Sequence, residues 1–143
     1  LPKIGPNMGY CIDQLESHFN IRAANVPKAL AAIQAMPERD YAWVDDNFQT
    51  ISSFVAMMNE WRWEVEFDKD QNVVGIEFTG EAKGDDKLLF AAIAPFVDPY
   101  SFIVMESQDD GAVWRWVFAN GMLYRQDAFP RTFGEMERID PKG

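Results

Sequence analysis

One cysteine and one histidine are all that this 143-residue chain carries of either. With Cys11 alone, an intramolecular disulfide and a multi-cysteine zinc site are excluded, and a reducing cytoplasm is the expected home. With His18 alone, a histidine-rich metal centre is excluded, and any Ser–His–Asp arrangement would have to use that residue. Cys11 and His18 are seven residues apart. On one strand that spacing places them on opposite faces, about 23 Å apart, so a thiol–imidazole dyad is not expected. No apolar run approaches the length of a membrane span, and no stretch reads as a secretory leader. Clustered Lys and Arg are missing too. The chain has 13 basic against 23 acidic residues, a formal charge of −10, and the wrong sign for phosphate backbones and anionic membranes. Neither nucleic acid nor a membrane is an expected partner.

What is present is apolar and aromatic. Hydrophobic residues make up 48% of the chain and aromatic residues 14%, enough for one folded domain with a heavily packed sheet face. The domain is expected over residues 8–126. Residues 1–7, "LPKIGPN" before Met8-Gly9-Tyr10, are expected to be a cloning remnant, and 127–143 a C-terminal extension, loose or with a short helix around "FGEMERI".

Periodicity sets the order of elements. His18, Asn20 and Arg22 alternate with Phe19, Ile21 and Ala23, as in a half-buried strand. Asn25 then caps a helix from about Val26 to Met36, with Pro27 in its first turn and Pro37 after its end. A second helix is expected after Asp46 or Asn47, because Phe48, Ile51, Phe54, Val55 and Met58 recur at threes and fours. "WRWEVEF" and "NVVGIEF", joined by "DKDQN", read as a hairpin with one apolar and one acidic face. A third helix follows Asp85 or Asp86. "YSFIVMES", apolar on both faces, belongs at the centre of a sheet, and Asn120-Gly121 is a strong hairpin turn between the last two strands. The expected fold is α+β in the order β-α-α-β-β-α-β-β-β, a mostly antiparallel sheet of five or six strands with its helices on one face.

Two copies of Trp-Arg-Trp, at 61–63 and 114–116, raise the question of a stacking platform for bases or sugars. Burying such side chains is worth about 2–3 kcal/mol each, and a nucleic-acid platform would want cations where Glu64 and Glu66 stand. Both pairs of indoles are therefore expected in the core, with Arg62 and Arg115 pairing with glutamates across strands.

Other motifs are weaker. Asp68, Asp70 and Asn72 occupy positions one, three and five of a calcium loop, but Val73 and Thr79 stand where Gly and Glu are needed. "TGEAKGDDK" precedes a helix but lacks G-K-[ST], and its acids would repel phosphate. Acid pairs at Asp45/Asp46 and Asp109/Asp110 fall in turns.

The stretch "FTGEAKGDDKLLFAAIAPFVDPYSFIVMESQDDGAVWRWVF" resembles a family of small, acidic, uncharacterised bacterial proteins with the pattern F-x-G-E-K-x-G-D-D…LF-x-A-I-A-P-F-V…W-R-W-x-F. The likeness extends more weakly through "WRWEVEF" and "YAWVD", over roughly residues 15–120. This chain departs from it at Ala82-Lys83 and at Asp98-Pro99-Tyr100. The resemblance implies a bacterial or mobile-element origin and carries no reaction or site residue.

Charge is thus the main functional signal. Glu64, Glu66 and Glu77, with nearby Asp68 and Asp70, are expected to form an acidic face that docks on a basic protein surface, without enzymatic activity and without a cofactor. Nuclease inhibitors, immunity proteins and anti-defence proteins work by this physics. The alternative is a small hydrolase or a divalent-ion- or ligand-binding domain using a carboxylate pair from the 81–86 loop or the 68–72 turn.

Overall fold

A computed structural model describes residues 11–82, 84–128 and 133–143. The expected cloning remnant lies outside the described residues. The fold is α+β, and the described residues form a five-stranded antiparallel sheet, a separate two-stranded hairpin and three α-helices. No helix among the described residues is long and apolar enough to cross a membrane.

The larger sheet has the order β1-β4-β5-β6-β7, from β1 (Ile12–His18), β4 (Ser101–Ser107), β5 (Val113–Ala119), β6 (Met122–Ala128) and β7 (Phe133–Ile139). β4 lies inside it, with Ser101, Ile103, Val104 and Met105 buried, as its two apolar faces require. Asn120 and Gly121 both take positive φ, 57° and 72°, the conformation a two-residue type I′ hairpin turn needs. β7 replaces the extension expected after residue 126. "FGEMERI" pairs with β6, and Ile139 at its end is buried. The segment carries no period-two apolar pattern, since Glu135 and Glu137 share the parity of Phe133 and Ile139, and its composition tolerates a helix.

The hairpin joins β2 (Trp63–Phe67) to β3 (Val73–Phe78). The pairing passes from Glu66↔Gly75 to Phe67↔Val73, so Val74 is an extra residue on β3. The bulge shifts the alternation by one. Val73 and Ile76 are consequently buried while Val74 is exposed, which interrupts the single apolar face expected of the hairpin.

Helix α1 (Val26–Gln34) follows a short 3-10 turn, with Pro27 in its first turn and Ala29 and Ile33 buried. Asn25 makes no side-chain cap bond. The second helix begins later than expected. Phe48–Thr50 is a separate 3-10 turn, and α2 (Phe54–Glu60) starts at Ser53, whose Oγ accepts from the Ala56 N–H at 3.2 Å. Ser53 won over Asp46 and Asn47 because the turn at Ile51 is extended backbone, which breaks the helical run. Helix α3 (Asp86–Ile93) buries Leu88, Leu89, Phe90, Ala91 and Ile93.

Phe90 is the meeting point of the aromatic core. Its ring lies 5.2 Å from Trp63, 5.7 Å from Phe118 and 6.3 Å from Trp116. Trp61, Trp63, Trp114 and Trp116 are at most 6% exposed, so the indoles fill the core as expected. The intervening arginines do not pair with glutamates. Arg62 donates to the Glu60 carbonyl, and Arg115 donates to Gln126 Oε1 at 2.7 Å while stacking over Phe133. A planar guanidinium finds aromatic and amide partners nearer than any carboxylate here.

Candidate functional site: an acidic trough

The hairpin and the large sheet are almost one sheet. Isolated antiparallel bridges join Cys11 to Ala82 at one end of the seam and Ile21 to Val73 at the other. The backbone bonds there are Ile12 N–H to Glu81 at 3.2 Å, Ile21 N–H to Val73 at 3.0 Å and Val73 N–H to Ile21 at 2.8 Å. Between the bridges β1 bulges at Leu15, where its register against β4 jumps from Gln14 to Glu16, and direct pairing with β3 stops. The gap is spanned by one side chain. Gln14 Nε2 donates to the Ile76 carbonyl at 3.0 Å, and its Oε1 accepts from the Phe78 N–H at 2.7 Å.

Beside this seam opens a trough of about 950 Å³, lined by Asp13–Ser17 of β1, Glu64–Glu66 of β2 and Val74–Phe78 of β3. Five carboxylates face it: Asp13, Glu16, Glu64, Glu66 and Glu77. No lysine or arginine lines it, and among the described residues neither ion pair, Arg22–Asp98 nor Arg125–Asp127, involves any of the five. Glu64 stands directly opposite Glu77 in the hairpin register. Like charges facing each other across a ladder weaken it by a few tenths of a kcal/mol. Glu66 faces Gly75. A Cβ at Gly75 would lie 3.2 Å from Glu66 Oε1, so the glycine leaves room for that carboxylate. Leu15 and Val74, 52% and 38% exposed, give the rim an apolar element.

Of the residues expected to form the acidic face, Glu64, Glu66 and Glu77 line the trough; Asp68 and Asp70 sit in the hairpin turn outside it. Asp68 is engaged in closing that turn. Its carboxylate accepts from the N–H groups of Asp70 and Asn72, both at 2.9 Å, and from Asn72 Nδ2 at 3.1 Å. The Asn72 side chain and backbone, more than the Asp70 N–H, hold the Asp68 carboxyl below its ordinary value. Asn72 Oδ1 in turn accepts from the Ala23 N–H at 2.8 Å and ties the hairpin turn to the 3-10 turn that precedes α1. The calcium-loop spacing is therefore a hairpin closure. Asp13 and Glu16 were missed in the sequence, because the bulge in β1 hides which of "DQLES" face the hairpin.

The remaining candidates lie apart. Asp85 accepts from the Ala42 N–H at 2.8 Å, and Asp86 from the Trp63 indole N–H at 3.0 Å. Part of Asp86 reaches solvent, yet its carboxyl is enclosed by protein; that burial, against the Trp63 bond and with help from Asp85, pushes it up to about 6. His18 is exposed at the far end of β1, with its ring 6.3 Å from that of Phe102, and Cys11 is half-buried at the Ala82 bridge. Among the described residues no group of three or more His, Cys, Asp or Glu side chains is arranged to hold a metal ion.

Fold and trough together define an α+β domain with a carboxylate-lined concavity between two sheet edges. No protein-family model, no curated protein and no solved structure matches the chain.

Proposed function

We propose that the protein is a non-enzymatic binding module whose trough docks on a basic surface of a partner protein. The observation that supports this is the facing pair Glu64 and Glu77, set among three further acids with no cation in the lining. A solvated surface selected for stability alone would intersperse lysine across such a ladder. Retaining the repulsion makes sense where a cation arrives from outside and relieves it. At a net charge of −10, association with a basic partner is steered by the field and falls steeply with ionic strength. The physics suits an inhibitor, immunity or anti-defence protein that covers a positively charged site on a bacterial target, in the cytoplasm where a lone thiol stays reduced.

The test is retention of a basic partner on the immobilised protein through a salt series, run beside a Glu64→Gln/Glu66→Gln/Glu77→Gln variant. The variant is expected to bind more weakly by roughly tenfold or more, and to be at least as stable because the repulsion is gone. Binding that ignores salt, or that survives the triple substitution, refutes the reading.

A further inference from the structure

The seam beside the trough says how a partner segment would sit there. β1 and β3 run antiparallel and stay nearly in register between their two bridges. Ten residue steps separate Cys11 from Ile21 and nine separate Val73 from Ala82, a difference of one that the Leu15 bulge absorbs. Between the bridges the two edges face each other without pairing, and each presents backbone that a sheet would normally use.

The Gln14 carboxamide shows what fits between them. One group donates to the carbonyl of Ile76 and accepts from the N–H of Phe78, the residues on either side of Glu77. One residue of a parallel neighbour makes this pattern, its N–H donating to the residue before its partner and its C=O accepting from the residue after it. The side chain therefore occupies the place of one residue of a strand lying alongside β3, parallel to it and antiparallel to β1. It is held further by Ser17 Oγ, 3.0 Å from Nε2.

Resting on the docking reading above, we propose that the partner contributes an extended segment with Lys or Arg at every second position. It displaces the Gln14 carboxamide and adds as a strand along β3. Its cations then lie over Glu64, Glu66 and Glu77, on the face that also carries Leu15 and Val74, and the intervening apolar residues turn to the opposite face of the sheet. Edge pairing supplies affinity in this mode and the alternating side chains supply selectivity.

The probe is a short acetylated peptide of alternating lysine and valine, compared with the same peptide methylated on every backbone nitrogen, which keeps the charge and removes every backbone donor. The unmodified peptide is expected to bind at least about tenfold tighter in fluorescence anisotropy. Its binding to the unaltered protein should shift the Gln14 carboxamide and Phe78 amide resonances. Gln14→Ala, with the slot vacated, is expected to bind the unmodified peptide several-fold tighter, as pre-opened sites do. Equal binding of the two peptides, or binding that leaves the Gln14 and Phe78 signals unmoved, overturns strand addition and leaves the docking reading standing. Failure of both peptides overturns strand addition, and loss of salt-sensitive partner retention overturns the docking reading separately.

Discussion

At 114–116 Trp-Arg-Trp lies within β5, whereas at 61–63 the same three residues carry the chain out of α2 and into β2. In the strand copy both indoles point to one face, and Arg115 stands on the other over Phe133. In the junction copy Trp61 packs against Tyr41 and Phe48 at the end of α2, at 5.1 and 5.6 Å, while Trp63 packs against Phe78 and Phe90. Arg62 between them takes φ 71°, a left-handed turn that lets two buried indoles reach different parts of one core. Identical alternation thus arises from a pleat in one place and from a helix terminus in the other. Burial of the large rings is common to both; the backbone that delivers them is not.

The largest break in this pairing is Trp63→Ala. The ring is fully buried, and its removal also strips Asp86 of a donor. Urea unfolding should show a loss of about 4–5 kcal/mol, at the top of the range for an aromatic core truncation.

Next in size is the carboxyl that only the junction copy engages. Asp86 is raised to about 6 by burial, so the folded state holds its proton more tightly than the unfolded chain. The associated stability is present below about pH 4 and is lost as pH rises through about 6. Asp86→Asn should lack this slope. Relative to the parent protein it should gain on the order of 2 kcal/mol between pH 4 and 7, measured as the difference between two pH–stability curves.

The smallest effect is the most discriminating, because it changes sign. Arg115→Gly removes a stacked guanidinium and loosens a strand interior, and should cost about 1–2 kcal/mol. Arg62→Gly relieves a left-handed backbone and should leave stability unchanged or higher by up to about 1 kcal/mol, its bond to the Glu60 carbonyl offsetting part of the gain. Equal costs at the two positions would show that Arg62 is not strained.

These differences mark where the fold was legible. The α+β class, the central position of β4, the Asn-Gly turn and the inward indoles follow from period and composition. Strand boundaries at β2, the Val74 bulge and the Ser53 cap do not, since each depends on which of two locally acceptable residues the tertiary contacts select. The strand nature of "FGEMERI" was hidden because most of β7 is exposed and so shows little hydrophobic contrast. For the site, the acidic hairpin face was readable from Glu64, Glu66 and Glu77. The contribution of β1 was not, because its partner β4 is distant in sequence and the Leu15 bulge scrambles its pattern.

That distance governs how the molecule comes into being. β1 pairs Ile12 with Ser107 and His18 with Phe102, so the first described strand stays unmatched until the chain has been made through β4. Contacts so far apart in sequence slow folding. The wall that β1 gives the trough is therefore absent from any chain that ends before β4. Binding competence should accordingly arrive late and in one step during synthesis, after the helices and the hairpin have had time to form.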